Sequence, residues 1–325
     1  MTEMLRELGW DAEWAAAFAR SDVQGAQPAR VTAQHRNRWT IQSSEGSHDG
    51  RVAGSGGAGL KPVTGAWVAC VAGPHESVPW SMVAVLPRRS AIRRGSAGET
   101  HGQQVLAANV DRLWIVQSLE SSPNLRSLER YLAVAWESGA SPEIVLTKSD
   151  LAEDPDGVRG LVNQVAFGIP EWVVSVEDRA AMDRLRGSLA AGQTVALLGP
   201  SGAGKSTLIN HLAESEIAKT GEVRSGDRKG RHTTTSRQLF PIQGGALLLD
   251  TPGMRELKVL DLEVGLKQAF PEIEEFSAEC RFRDCSHSSE PGCAVLSAVE
   301  DGRLDPDRLA SYRKLEAEAA YERRR

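Results

Sequence analysis

The chain has 325 residues, 41% hydrophobic and 25% charged, an ordinary balance for a globular protein of two or three domains. That excludes a wholly disordered chain, and no apolar stretch approaches membrane-spanning length, so a cytoplasmic protein with no membrane partner is expected. A formal net charge of −5 excludes a chain-wide basic field, so any nucleic-acid partner has to be met by local basic patches.

Residues 1–28 set Leu5, Leu8, Trp10 and Trp14 among Glu3, Glu7, Asp11 and Glu13, which predicts a short amphipathic helix and not a secretory signal. Over 29–95, short β-like runs alternate with turns: ARVTAQHRNRWTIQS, GAWVACVAG and SMVAVLP. So many strands in so short a span suggest a small barrel, a five-stranded nucleic-acid-binding (OB-like) β-barrel being one option. Between the first two runs, SSEGSHDGRVAGSGGAGLKP is too rich in Gly and Ser for a core and reads as a long mobile loop. Arg30, Arg36 and Arg38 beside Trp39, and Arg88, Arg89, Arg93 and Arg94 after the barrel, form clusters free of acidic residues. They suit phosphate contacts or, equally, a solvated face and a flexible linker. Cys70 reads as a small buried apolar residue.

Over 96–270 the pattern becomes strands alternating with helices, which predicts an α/β unit with a mostly parallel sheet and ligands at the carboxyl ends of its strands. Strands are expected at 111–118, 143–146, 172–175, 195–198 and 247–249. Helices are expected at 124–139, stopped by Gly139, and through Met182, Leu185 and Leu189.

Four motifs sit at those strand ends. After 143–146 comes Thr147, Lys148, Ser149 and Asp150, matching [NT]KxD. The Asp150 carboxylate can accept from guanine N1–H and N2–H₂, a donor pair adenine lacks, at roughly 1.5–3 kcal/mol per charged hydrogen bond. Lys148 would lay its stem over the base, and Ser175-Val176 offers a backbone donor to guanine O6. The strand at 195–198 leads into Gly199, Pro200, Ser201, Gly202, Ala203, Gly204, Lys205, Ser206 and Thr207, a GxxxxGK[ST] loop whose N–H groups and following helix can cradle phosphates. Lys205 would meet the outer phosphates and Ser206 a magnesium ion.

The segment 225–237, SGDRKGRHTTTSR, reads as an order-on-binding switch or as a basic surface loop. As a switch, one of Thr233, Thr234 and Thr235, with Thr234 favoured, would complete the magnesium shell. Asp250-Thr251-Pro252-Gly253 then supplies an aspartate for magnesium and, at Gly253, an N–H for the terminal phosphate. A turn by itself, DTPG alongside the phosphate loop points to a nucleoside triphosphatase switch.

From 271 to 325 the chain turns acidic and closes on a polar helix over 308–325. Cys280, Cys285, His287 and Cys293 follow a C-x4-C-x-H-x5-C spacing, four zinc-type ligands that can close a tetrahedral structural site.

The order base motif, phosphate loop, switch threonines and DTPG is a permutation of the usual GTPase order. With VLPRRSAIRRG, QVLAANVDRLWIVQS, LERYLAVAWESGA and KGRHTTTSR, it resembles the ribosome small-subunit-dependent GTPase family over about 29–320. The resemblance implies a circularly permuted GTPase domain, an OB-like barrel docking on ribosomal RNA and a helical zinc-binding tail. It further implies GTP hydrolysis stimulated by the small ribosomal subunit, with a role in that subunit's late maturation; a monomer that exchanges GTP and GDP is expected. Two departures stand out. Thr147 replaces the commoner Asn, which is expected to weaken the brace between base loop and phosphate loop, and Val176 replaces Ala. The residue after the DTPG glycine is Met254, whose apolar side chain cannot orient water, so His232 becomes the candidate catalytic group. Two other readings stay open: a guanine-nucleotide-regulated RNA- or protein-binding module with little hydrolysis, and a P-loop ATPase, against which Asp150 argues.

Overall fold

The computed structural model describes residues 2–35, 38–53, 60–75, 78–95, 103–213, 237–250 and 262–324. The N-terminal pattern resolves into two helices, α1 (Glu3–Glu7) and α2 (Ala12–Arg20), the second started by Asp11, whose carboxylate accepts from Trp14 N at 3.0 Å. Trp10 and Trp14 pack on Trp67 of the barrel.

The barrel comprises β1 (Gln27–His35), β2 (Arg38–Ser43), β3 (Gly46–Val52), β4 (Trp67–Val71) and β5 (Trp80–Val85). The ladders run β1-β2-β3-β5-β4 and return to β1, with β3 and β5 parallel, so the sheet closes on itself. Ala29, Val31, Ile41, Val68, Cys70 and Met82 fill its interior. The Cys70 side chain is buried, and burial pushes its thiol up to about 12. One expectation fails here: β3 lies inside the stretch read as a loop.

β6 (Ala91–Gly95) and β7 (Gln103–Ala108) form a hairpin, so the stretch after the barrel is not a flexible linker. The nucleotide-type sheet follows, ordered β10-β9-β8-β11-β13-β12: β8 (Arg112–Ser118), β9 (Ser141–Thr147), β10 (Glu171–Val173), β11 (Thr194–Leu198), β12 (Arg237–Pro241) and β13 (Leu247–Asp250). Every pair is parallel except β12 with β13.

Helices α3 (Leu125–Ser138), capped by Asn124 and ended by Gly139 in the left-handed region, and α4 (Pro155–Val165) cover one face. Helices α5 (Arg179–Gly187) and α6 (Lys205–Ala213) cover the other. α7 (Glu263–Ala269), α8 (Pro271–Ser277), α9 (Ala294–Glu300) and α10 (Pro306–Arg324) complete the chain and join the α3 side of the core. Among the described residues no helix is long and apolar enough to cross a membrane.

Two contacts make barrel and sheet continuous. β12 pairs antiparallel with β1, Ala33 opposite Gln238, so the barrel extends the nucleotide sheet. The second contact corrects the phosphate reading of Arg30, which is only 2% exposed. Its guanidinium donates to the carbonyls of Gly65 (3.2 Å) and Asn109 (3.1 Å), to Thr194 Oγ1 (2.8 Å) and to the Leu8 carbonyl. Burial draws its pKa down to about 10, so it stays charged at neutral pH. Arg30→Met will remove the donor these buried acceptors share, leaving Gly65 only its bond from Asn109 Nδ2, and lower the unfolding free energy by about 3–5 kcal/mol, checked by urea denaturation. Arg89 is also engaged, in ion pairs with Asp11 (2.6 Å) and Glu13 (2.8 Å), and Arg88 donates to the Lys61 carbonyl at 2.7 Å. Arg38 and Arg93 remain exposed, and Arg36 lies outside the described residues.

Candidate functional site

β11 is buried along its whole length and apolar from Val195 to Leu198, and it passes at Gly199 into the loop that leads to α6. Gly199 makes that turn with φ 144°. A Cβ there would lie 2.2 Å from the Val116 carbonyl oxygen, which excludes any other residue without displacing β8. Gly202 and Gly204 also hold positive φ, leaving Pro200, Ser201 and Gly202 exposed around a concave backbone. Lys205 folds back so that Nζ donates to the Gly199 carbonyl at 2.7 Å and to the Pro200 carbonyl, fixing a cation at the loop mouth. Ser206 is half-buried in the first turn of α6 and Thr207 is exposed beside it.

The base motif lies next to this loop. Thr147 ends β9, and its hydroxyl donates to the Ala203 carbonyl at 2.7 Å, with the Gln117 carbonyl at 3.2 Å. The brace is thus present with threonine in this position: its hydroxyl reaches the phosphate loop. Removing it leaves a buried carbonyl unpaired at a cost of about 1–3 kcal/mol, so Thr147→Val will weaken guanine nucleotide binding about tenfold in a fluorescent-GDP titration.

Lys148 adopts φ 57° and pairs with Glu120 at 2.6 Å, while Asp150 is exposed in the short turn of 3₁₀ helix Ser149–Leu151. Ser149 N donates to the Val174 carbonyl at 3.3 Å, which draws the end of β10 against the base motif. Ser175 is buried, its hydroxyl accepting from Glu177 N at 3.1 Å, and Val176 follows it half-buried. Asp250 ends β13 beside β11 in the parallel register. His232, Thr234 and Gly253 lie outside the described residues.

Sequence reasoning missed Glu137. Its carboxylate accepts from Val264 N (3.1 Å) and Gly265 N (2.9 Å), so α3 holds the first turn of α7, the first described element after DTPG. No local pattern announces a contact between residues so far apart in the chain.

The C-terminal ligands converge. One atom from each of Cys280, Cys285, His287 and Cys293 lies within 4.8 Å of all the others. Tetrahedral zinc, with about 2.3 Å to sulfur and about 2.05 Å to nitrogen, spaces sulfurs about 3.8 Å apart and sulfur from nitrogen about 3.6 Å. Here Cys280 and Cys293 Sγ are 3.9 Å apart, and His287 Nδ1 is 3.7 and 3.5 Å from them, so the set fits a metal of that kind bound through Nδ1. His287 Nε2 is then free to donate to Ser277 Oγ at 3.0 Å, fixing the tautomer from α8.

A phosphate loop after a strand, a guanine-type base loop bonded to it, and a base-reading strand that precedes the phosphate loop in the chain define a circularly permuted GTPase, here joined to a closed five-stranded barrel. A model of the RsgA GTPase family matches residues 85–260. "Small ribosomal subunit biogenesis GTPase RsgA" of Opitutus terrae is 42% identical, over 99% of this chain and 91% of that one; the protein of the same name from Streptomyces coelicolor is 43% identical, over 96% and 85%. Among solved structures, YjeQ from Thermotoga maritima superposes with a TM-score of 0.67 at 26% identity, over 91% of this chain and 99% of that one. YloQ, described as a circularly permuted GTPase, shares the fold with a TM-score of 0.64 at 22% identity, over 91% and 96%. The chain belongs to the RsgA GTPase family.

Proposed function

We propose that this chain is a GTP hydrolase that binds the small ribosomal subunit and assists its late maturation, its turnover being raised by the subunit. The observation that carries the nucleotide reading is the Thr147–Ala203 hydrogen bond, which ties the base loop to the phosphate loop. The subunit reading rests on relatives of nearly full length that carry that name.

In this reading Asp150 selects guanine, Lys148 covers the base after leaving Glu120, and Ser175-Val176 meets O6. The residues from Gly199 to Gly204, apart from Pro200, which has no N–H, supply N–H groups to the phosphates, Lys205 faces the outer phosphates, and Gly253 N–H meets the terminal one. Ser206, Thr234 and Asp250 would hold the magnesium ion that accompanies GTP, which would supply charge to offset that developing on the phosphate oxygens. His232 places the attacking water when the subunit is bound. The parts are divided as a helical extension (1–28), barrel (29–95), GTPase domain (96–270) and zinc-binding helical domain (271–325), with barrel and zinc domain contacting ribosomal RNA. The protein works as a cytoplasmic monomer alternating between GTP and GDP.

The deciding experiment is GTP turnover with and without purified small subunits. A clear rise is expected; the same rate in both would leave the guanine-nucleotide-regulated binding module as the better reading. Asp150→Asn should move preference from guanine to xanthine nucleotides, and His232→Ala should abolish the subunit-stimulated rate while leaving GTP affinity intact.

A further inference from the structure

A buried carboxylate ties the strand that leads to Ser175-Val176 to the rest of the sheet. Among the described residues β10 is the edge of the nucleotide sheet and pairs with β9 alone, over Glu171, Trp172 and Val173, each only half-buried. Its ladder holds it on one side, and apolar burial adds little. Two polar clamps supply the rest, one on each face of the sheet. Glu171 meets Arg159 of α4 at 2.8 Å, while the Trp172 indole N–H donates to Glu143 Oε2 at 3.0 Å. Alternation along the strand sends these neighbouring side chains to opposite faces.

Glu143 lies in β9, is 6% exposed, and shares its carboxylate among three strands. Oε2 also accepts from Trp114 Nε1 of β8 at 3.0 Å, and Oε1 accepts from Arg112 Nη1, again of β8, at 2.9 Å. The registers agree: Trp114 stands opposite Glu143, and Trp172 stands opposite Val145, two residues on and so on the same face as Glu143. An apolar side chain would fill this space at a lower desolvation cost. What a buried and fully engaged carboxylate contributes is a fixed arrangement of its partners, through hydrogen bonds of the short, strong class. Trp114 is wholly buried in the core, so the acceptor is anchored from β8, and the partner it restrains is the edge strand.

From Trp172 the chain runs three residues to Ser175, about 10 Å of extended backbone. On the way Val174 N donates to the Leu146 carbonyl at 2.8 Å. A shift of Trp172 is therefore carried into the Ser175-Val176 backbone. Asp150 follows β9 instead, and that strand end has its own support in the Thr147 bond to the phosphate loop.

We propose that Glu143 is a positioning residue for guanine selection: through Trp172 it sets the Ser175-Val176 backbone against guanine O6, while the N1–H and N2–H₂ edge is left to Asp150. The assignment rests on the guanine reading above and refines it.

The test titrates the full-length protein, by displacement of a fluorescent GDP, with three competitors. These are GDP, inosine diphosphate, which lacks only the 2-amino group, and 6-thioguanosine diphosphate, in which sulfur replaces only O6. Wild type should prefer GDP to both analogues. Trp172→Phe keeps an aromatic ring and removes the donor. It should weaken GDP and inosine diphosphate together by about fivefold, the worth of one hydrogen bond, and leave 6-thioguanosine diphosphate nearly unchanged. Trp114→Phe removes a donor from the same oxygen but on β8, so it should lower the melting temperature and keep both preferences. Glu143→Gln retains an oxygen for Trp172 and should keep the preference for oxygen over sulfur, which Glu143→Ala should lose; this pair gives the contrast without altering a ring. Full retention of that preference in Trp172→Phe, or its equal loss in Trp114→Phe, would overturn the assignment and leave the guanine reading standing. So would a wild type that prefers GDP to inosine diphosphate but does not distinguish sulfur from oxygen. A wild type that prefers GDP to neither analogue would overturn the guanine reading and this refinement with it.

Discussion

Lys205→Ala will lower kcat/KM for GTP by about three orders of magnitude and leave the melting temperature of the chain nearly unchanged. The ammonium is already placed before nucleotide arrives, bonded to the carbonyls of Gly199 and Pro200 at the loop mouth. It therefore loses little reorganisation energy on meeting the outer phosphates, and such preorganised donors to developing charge are individually worth about 10²- to 10³-fold. Removing a full charge from the same place costs at least the upper end of that range. Lys205→Arg should not rescue it, because a planar fork cannot reproduce a point charge folded under the loop. Stopped-flow binding of a fluorescent GTP analogue and single-turnover hydrolysis separate the affinity loss from the rate loss. A variant within tenfold of wild type in both would remove Lys205 from the phosphate site. Gly199→Ala should fail in a different way: the Cβ meets the Val116 carbonyl at 2.2 Å, so loop and β8 must separate and affinity falls before rate does.

The parts that were legible are those whose geometry is written in consecutive residues. The apolar run Val195–Leu198, the glycines after it and the helix from Lys205 define the phosphate loop locally, and the Cys/His spacing defines the candidate metal site in the same way. What escaped was set by distant partners. Arg30 looked like a phosphate contact because its neighbours in sequence are basic, but the groups that bury it lie 35, 79 and 164 residues away. β3 looked like a loop because Gly46, Ser47 and Gly50 are poor strand formers. Gly50 is there because the Ile41 side chain fills the space a Cβ would need, at 3.1 Å, a demand that only the folded barrel reveals. Thr147 departs from the expected asparagine, yet the approach of Ala203 lets a shorter side chain make the bond. β12 escaped because its role, joining sheet to barrel, belongs to no local pattern.

Metal removal will have the largest effect on the C-terminal part of the chain, and the free cysteines give a direct readout. Helices α8 and α9 have seven residues each, too few to persist alone, and between them Arg281, Phe282, Arg283 and Asp284 are exposed and build no core. The connection is therefore held chiefly by Cys280, Cys285, His287 and Cys293, and apparent binding energies of such structural zinc sites run about 10–16 kcal/mol at neutral pH. One zinc per chain is expected by elemental analysis. With zinc bound, all four thiols should react slowly with an aromatic disulfide reagent. After chelation three should react quickly and one, Cys70, should stay silent, since it is buried in the barrel with its thiol pushed up to about 12. Chelation should also split thermal unfolding in two, a low transition for the segment around α8 and α9 and a higher one for the sheet and barrel. Cys293→Ser should be more damaging than Cys285→Ser, because Cys293 Sγ also accepts from Leu296 N at 3.5 Å and starts α9. Four reactive thiols, or none, after chelation would contradict this division of the cysteines. The same loss should reach the nucleotide only indirectly: α7, whose first turn Glu137 holds, runs into α8, so the chelated protein should keep its GDP affinity.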